Sequence, residues 1–457
     1  MKNKPIQRPG IRYRVPGIYS AIFTFYFLLF TCVGSASALT LQQSLDIALA
    51  NNSAVVAALD KVHVAEAKRG EAFSNFLPHV SATASAGKNF VEYPLIALPP
   101  QMGGGSFATG PDEAANANSY QLTVNQTLFT GGKLLVGQTI ADINSQIAWQ
   151  DYLRSSNETV LNVISSYYDY LKAKKSLEVI DASLDNLNRN LQQTQVFYDS
   201  GIGSNVDFLR VRTQVANVKI AELQAQNGLR LARLVFETNL GQKLKQDEVP
   251  AEAELTAAPA VNLDQDQVLK TAYDNRPEWK QFELGLTAAD KAVGLSYSNF
   301  LPNLALQYSI GRSIAEYPNN PASDSNLENW RYMLVGSWNI FDGFNTPMQI
   351  KESYASLDAA KAQARQIKDA IALEVNSAYL NLQSAVDKIA ASQVAADLAD
   401  KTLQTAEINY NAQILTEQQY LDAHTADQAA QLALWSSKYD YEVAKAKLNK
   451  AVGKTVI

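Results

Sequence analysis

Cysteine is all but missing: Cys32 stands alone in 457 residues, so no disulfide can form within the chain. Histidine is scarce as well. His63, His79 and His424 lie far apart, without the short ligand spacings of a zinc or iron site. Excess positive charge is lacking, since 39 Lys and Arg face 45 Asp and Glu, for a net charge of −6. That balance excludes the basic footprint of a nucleic-acid-binding protein. Charged residues amount to 18 %, below the ~25 % of soluble domains, which argues against a charge-rich disordered chain or a purely solvated coiled coil. No nucleophile elbow accompanies the serines and histidines, so a hydrolase triad has no carrier. Past the first 38 residues no stretch approaches ~20 continuous apolar residues, so no transmembrane helix is expected there.

What is present begins with an export signal. Lys2, Lys4, Arg8, Arg12 and Arg14 form a basic leader, followed by an apolar run from Ile18 to Gly34 and the small-x-small triplet Ala36-Ser37-Ala38. This order predicts a cleaved signal peptide over 1–38. The rival reading is a membrane anchor, for which the run is at the short limit. Phe30-Thr31 lacks the small residues that a lipoprotein site at Cys32 would want.

The remainder is written twice. Ser74-Asn75-Phe76-Leu77-Pro78 returns as Ser298-Asn299-Phe300-Leu301-Pro302, an offset of 224 that also pairs Leu45 with Leu269, Asn51 with Asn275, and Glu92-Tyr93-Pro94 with Glu316-Tyr317-Pro318. After a loop that is longer in the first half, the offset becomes 212. It then pairs Phe129 with Phe341, Gly131 with Gly343, Val163 with Val375, Tyr198 with Tyr410, and Gly241 with Gly453 without a gap. Such repetition predicts two copies of one structural unit, over 39–250 and 251–457.

Each unit has one order of parts. A helix is expected from Ser53 and from Pro277. Strands are expected near Pro78–Tyr93, Ser119–Phe129, Pro302–Tyr317 and Trp330–Phe341. Long helices follow over Leu134–Asp199, Asn205–Asn239, Pro347–Ala412 and Glu417–Ala451, interrupted at Gly201 and Gly203 in the first unit. At 1.5 Å per residue, Leu134–Asp199 spans about 100 Å, and Ser53–Phe76 with Asn205–Asn239 together about 90 Å. Two shorter helices stacked end to end would therefore nearly match one long one. Leu177, Ile180, Leu184, Leu187 and Leu191 step by the 3 and 4 of a coiled-coil seam.

The strands alternate. Leu304, Leu306, Tyr308 and Ile310 oppose Ala305, Gln307 and Ser309, while Tyr93, Tyr120, Tyr317, Trp330, Tyr332 and Trp338 are expected near strand ends, as in an interfacial girdle. A half-buried soluble sheet alternates in the same way. The export signal and the ~100 Å helices favour a membrane sheet of strands 9–11 residues long. Four strands cannot close a barrel, which tolerates no free edge. Three copies would supply 12, continued by a helical cylinder.

At this point the chain resembles the TolC-type outer membrane efflux protein family. The carriers are the tandem repeat, the strand-to-helix step Leu128-Phe129-Thr130-Gly131-Gly132-Lys133, and the tip Phe197-Tyr198-Asp199-Ser200-Gly201 followed by Asp207. Tyr410 and Tyr420-Leu421-Asp422-Ala423 echo them. The resemblance implies a mainly α fold with a β-barrel part: a homotrimer with a 12-stranded barrel in outer membrane lipid, an α-helical barrel in the periplasm, and an equatorial collar. It also implies an exit duct, neither an enzyme nor dependent on a cofactor or metal, coupled through a periplasmic adaptor to an inner-membrane transporter.

In that family the second tip carries a Gly after its Tyr, then an Arg, then two acids that narrow the pore. This chain keeps Tyr410 and Asp422 but has Gln413, Leu415 and Gln419 at the other places. The expected constriction is thus Asp422, Gln419, Tyr410 and Asp207, with a Tyr410–Asp207 tether and a ring of three Asp422 carboxylates. The expected adaptor-docking tips are Gly201, Ile202, Gly203, Ser204 and Ile414, Leu415, Thr416. A type I protein secretion duct remains an alternative to small-molecule efflux, as does a non-conducting trimeric coiled-coil stalk.

Overall fold

The computed structural model describes residues 38–108, 110–111, 113–252 and 264–456. The expected signal segment and Cys32 lie outside the described residues, apart from Ala38. Helix α1 (Leu41–Asn51) and α2 (Ser53–Ser74) lead into strand β1 (His79–Asn89), a small hairpin of β2 (Leu95–Ala97) and β3 (Ser106–Ala108), and β4 (Ala115–Thr130). Then come α3 (Lys133–Asp199) and α4 (Asn205–Leu240). The second half repeats the order with α5 (Gln265–Asn275), α6 (Pro277–Tyr297), β5 (Asn303–Glu316), β6 (Ser325–Ser337), α7 (Asn345–Asn411) and α8 (Glu417–Val452). Helices α3 and α7 have 67 residues each, and α4 and α8 have 36 each, so the written repeat is a repeat of lengths. No helix among the described residues is long and apolar enough to cross a membrane.

The end-to-end stacking has a specific joint. Asn52 is extended, with ψ 126°; its side-chain oxygen accepts from the Ala54 amide and its Nδ2 donates to the Asn239 carbonyl at 2.8 Å. The start of α2 is thereby tied to the end of α4, where Gly241 caps the helix at φ 74°. A Cβ on Gly241 would lie 2.6 Å from the Asn51 carbonyl oxygen, so only glycine permits this approach. In the second half Arg276 makes the matching break, and Pro277 opens α6 where a missing N–H costs nothing. The helices α1 and α5 ahead of these breaks are not separable from sequence pattern alone.

Apolar side chains gather at separate levels along the helices. One cluster joins Val163, Tyr167, Leu171, Phe236 and Leu240 to α1. A second joins Ala272 of α5 to Val375, Leu382, Leu448 and Val452. A third, near the tips, holds Ile180, Leu187, Val211, Val218, Tyr410, Tyr420 and Leu421; of the leucine seam read from the sequence, Ile180 and Leu187 are buried here, Leu184 and Leu191 pack half-buried against them, and Leu177 lies outside the cluster. Leu373, Leu380, Val394 and Ile408 stay exposed along α7, an apolar edge with no cover inside one protomer.

All four long strands form one antiparallel sheet in the order β1-β4-β5-β6, leaving β1 and β6 as edges. They run to 11, 16, 14 and 13 residues, longer for β4, β5 and β6 than the 9–11 expected. Strand β6 begins at Ser325 and ends at Ser337, displaced from the expected Trp330–Phe341. The reason is the partner: β6 is in register with β5 from Asn303↔Ser337 to Ala315↔Ser325, and a ladder continues wherever its partner supplies backbone groups.

Candidate functional site

The register sorts the sheet into two faces. Val80, Val124, Tyr308 and Tyr332 align across all four strands, and so do Ala82, Leu122, Ile310 and Trp330; Leu306 and Leu334 form the next row. Apart from the half-buried Val124, the large side chains among them are exposed, Val80 at 64 %, Tyr332 at 69 % and Leu334 at 64 %. The opposite face aligns Ser81, Thr123, Ser309 and Arg331, then Thr83, Gln121, Gly311 and Asn329. An exposed apolar band backed by a polar face is what a wall between lipid and water requires. Trp330 and Tyr332 lie within β6 rather than at its end. Trp330 is nonetheless the last of the band, because the next row is charged, Arg312 beside Glu328 at 3.9 Å. The girdle marks the edge of the apolar band, and the strands continue past it.

At the far end of the long helices each hairpin turns tightly. Gly201 takes φ 75°, and the Ile202 and Gly203 amides both donate to the Phe197 carbonyl, at 3.0 and 2.9 Å. Ser204 caps α4, accepting from the Val206 amide. The second tip copies this with Gln413 at φ 61°, a left-handed position that disfavours a side chain. Thr416 caps α8 in a reciprocal box with Gln419, whose Oε1 accepts from the Thr416 amide at 3.0 Å. Gln419 therefore closes its own helix start.

Between the tips sits a buried polar cluster. Glu417, the first residue of α8, is 3 % exposed. It accepts from Asn190 Nδ2 at 2.7 Å and from Thr194 Oγ1 at 3.3 Å, both on α3, and hydrogen-bonds the Tyr410 hydroxyl. Thr194 Oγ1 and Tyr410 Oη are 3.1 Å apart. Burial raises the Glu417 carboxyl above its ordinary range against the lowering effect of these bonds, and the nearby Asp207 charge raises it further. Burial and the Glu417 bond likewise raise the Tyr410 phenol. Tyr420 stacks on Tyr410 with centroids 5.4 Å apart and closes the cluster on one side.

Within one protomer the expected Tyr410–Asp207 bond is not formed. The Tyr410 hydroxyl is engaged by Thr194 and Glu417, while Asp207 accepts from Arg210 Nη1 at 3.0 Å, one turn along α4. Asp422 is exposed and accepts from Gln418 Nε2 at 2.7 Å. Ile202 and Ile414 are exposed at 65 % and 72 %, and Gly201, Ser204 and Thr416 beside them are exposed too. Leu415, expected at the free tip, instead packs half-buried on the third cluster, as Gly203 tucks against Phe197. Glu417, Asn190 and Thr194 are functional candidates that pattern reading passed over. Their signal was partial: Thr194 follows Leu191 at the spacing of the α3 seam with a polar side chain, while Asn190 lies just off the seam beside Leu191.

Comparison with known proteins adds a lineage. The sequence profile described as outer membrane efflux protein matches residues 44–242 and 268–454. Outer membrane protein TolC of Escherichia coli (strain K12) is 24 % identical over 386 residues, which cover 80 % of this chain and 76 % of that protein. The alkaline protease secretion protein AprF of Pseudomonas aeruginosa is 22 % identical over 304 residues, covering 65 % of this chain and 62 % of AprF. A crystal structure of CusC superimposes with a TM-score of 0.75 at 19 % identity, over 91 % of this chain and 92 % of that one, so the two share a fold.

Proposed function

Since this chain belongs to the outer membrane efflux protein family, whose members are outer membrane channels, we propose that three copies join into a single exit duct reaching into the periplasm. Its inner end meets a periplasmic adaptor, and through it an inner-membrane transporter. The repeats that build it divide at 250/251. One observation carries the reading: a four-stranded sheet with an exposed apolar face, a polar face and two unpaired edges. Such a sheet is stable in a bilayer only when neighbours satisfy its edges. Two copies would leave little lumen, whereas three give 12 strands and room for water. The exposed apolar edge of α7 supports the same conclusion for the helices.

The role needs a sealed wall and a wet bore, and no covalent step. Small-molecule efflux and protein export both fit such a bore. Likeness to AprF, named for protease secretion, supports the second reading. Purified protein in planar bilayers tests the duct directly: discrete conductance steps from a detergent-stable trimer are expected, and a monomer without conductance would overturn the reading in favour of a stalk.

A further inference from the structure

We propose that Glu417 is the latch of the duct's inner end: held by Asn190, Thr194 and Tyr410, it fastens the α7–α8 tip of each protomer to the α3–α4 tip, and its release lets the tips part. The proposal rests on the duct reading above and adds to it the residue that governs closure.

The geometry makes this carboxyl unlike the other polar contacts between the tips. Gln193 also reaches across, donating to Asn411 Oδ1 at 2.7 Å, but that pair is exposed and water can replace either partner at little cost. The bonds from Asn190 and Thr194 to Glu417 are buried, so opening them exposes groups that must be rehydrated together. They also join different hairpins, because Asn190 and Thr194 lie on α3 and Glu417 on α8. Tyr410 ties the same carboxyl to the end of α7. One side chain thus holds α3 of one tip to both α7 and α8 of the other.

The charges around it give the latch a direction. From α3 it faces the neutral Asn190 and Thr194, with Arg189 nearer to Tyr420. From α4 the facing group is Asp207, whose charge is met by Arg210. From α7 come Tyr410 and, beyond it near Tyr420, Glu407. No cation bonds Glu417 among the described residues. An ionised carboxyl buried without a cation and beside a like charge is destabilised; the bonds donated to it offset only part of that cost, and a protonated carboxyl escapes it while its carbonyl oxygen still accepts from Asn190. In parted tips the group would be hydrated and return to its ordinary range. Closure is therefore fully favoured below that ordinary range, and loses the contribution as pH rises through the raised value of the closed tips. Acid tightens the latch; above that raised value it is held by hydrogen bonds alone and yields to a docking partner.

The experiment uses the full-length trimer and three variants, Glu417→Gln, Glu417→Ala and Asn190→Ala. Two readouts are taken, single-channel conductance against pH in planar bilayers and hydrogen exchange at the tips. Wild-type conductance should fall on acidification. Glu417→Gln, neutral at every pH, should lose that step and stay near the wild-type acid level. Glu417→Ala should conduct at or above the wild-type neutral level throughout, and the amides near 190–200 and 410–420 should exchange faster. Asn190→Ala should move both readouts the same way by less. Wild type and Glu417→Gln differ at this one side chain, so the difference between them isolates Glu417. A Glu417→Gln channel that keeps the wild-type pH step, or a Glu417→Ala protein with unchanged tip exchange, overturns the latch. Wild-type trimers that never conduct overturn the duct instead, while exchange still decides whether Glu417 fastens the tips.

Discussion

Asn190 and Thr194 are buried on the face of α3 that also buries Ile180 and Leu187, and polar groups at such places are retained only with partners. The partner is Glu417, and it could not be read from the sequence, because the two segments that meet are more than two hundred residues apart. Tyr410 and Asp207 were legible as tip residues through the repeat, but their pairing was not: which acid takes a phenol depends on distances that spacing does not contain. Asp422 stays exposed on α8, and we propose that its three copies ring the narrow end of the bore. Like charges held close attract cations and resist ionising together. Asp422→Ala should raise single-channel conductance or weaken block by multivalent cations. Planar-bilayer recordings with and without such a cation check this, and no change in either quantity removes the ring.

At the scale of elements, the long helices were legible to within one or two residues because their ends are written in local chemistry. Ser204 and Thr416 open α4 and α8, and Gly241 and Gly453 close them in the left-handed conformation. The starts of α2 at Ser53 and α6 at Pro277 were legible, but α1 and α5 ahead of them, and the packing of each joint on the end of another helix, were not. These joints differ in tightness. A Cβ at position 241 would meet the Asn51 carbonyl at 2.6 Å, whereas one at 453 would meet the Arg276 backbone at 3.1 Å. Both Gly→Ala changes impose about 1–2 kcal/mol of left-handed strain. Gly241→Ala should cost more than Gly453→Ala, because it also forces the α2 and α4 ends apart. Thermal unfolding of detergent-solubilised trimers measures the difference, and equal losses would mean that the joint yields freely. The tips carry the element-scale test of docking. Ile202→Asp and Ile414→Asp place charges on the exposed turns without disturbing the packed Leu415. Export should be lost in cells while trimers still reach the outer membrane; surviving export would show that an adaptor does not grip these turns.

Over the whole molecule, the repeat and the alternating strands were legible, and the number of strands alone required assembly. The precise ladder was not, because β6 takes its ends from β5 and the sheet's edges take theirs from a neighbour. That dependence can be tested on β6 itself. Successive residues of an antiparallel strand direct their N–H groups alternately towards one neighbour and the other. Of Tyr332 and Met333, therefore, one N–H points to β5 and the other to the free edge. Proline at the first kind of position removes a bond within the protomer's own sheet, and at the second kind only a bond to whatever lies beyond the edge. In an isolated sheet the second substitution would be nearly silent, since the lost N–H faced no partner. In a closed barrel both variants remove a ladder bond in the middle of the wall, where no water substitutes for it. Tyr332→Pro and Met333→Pro should consequently both reduce the yield of detergent-stable trimer, read by native mass and by heat-sensitive gel mobility. One impaired variant beside one of wild-type yield would mean that this edge is left open, and twelve strands would not be the count that closes the wall.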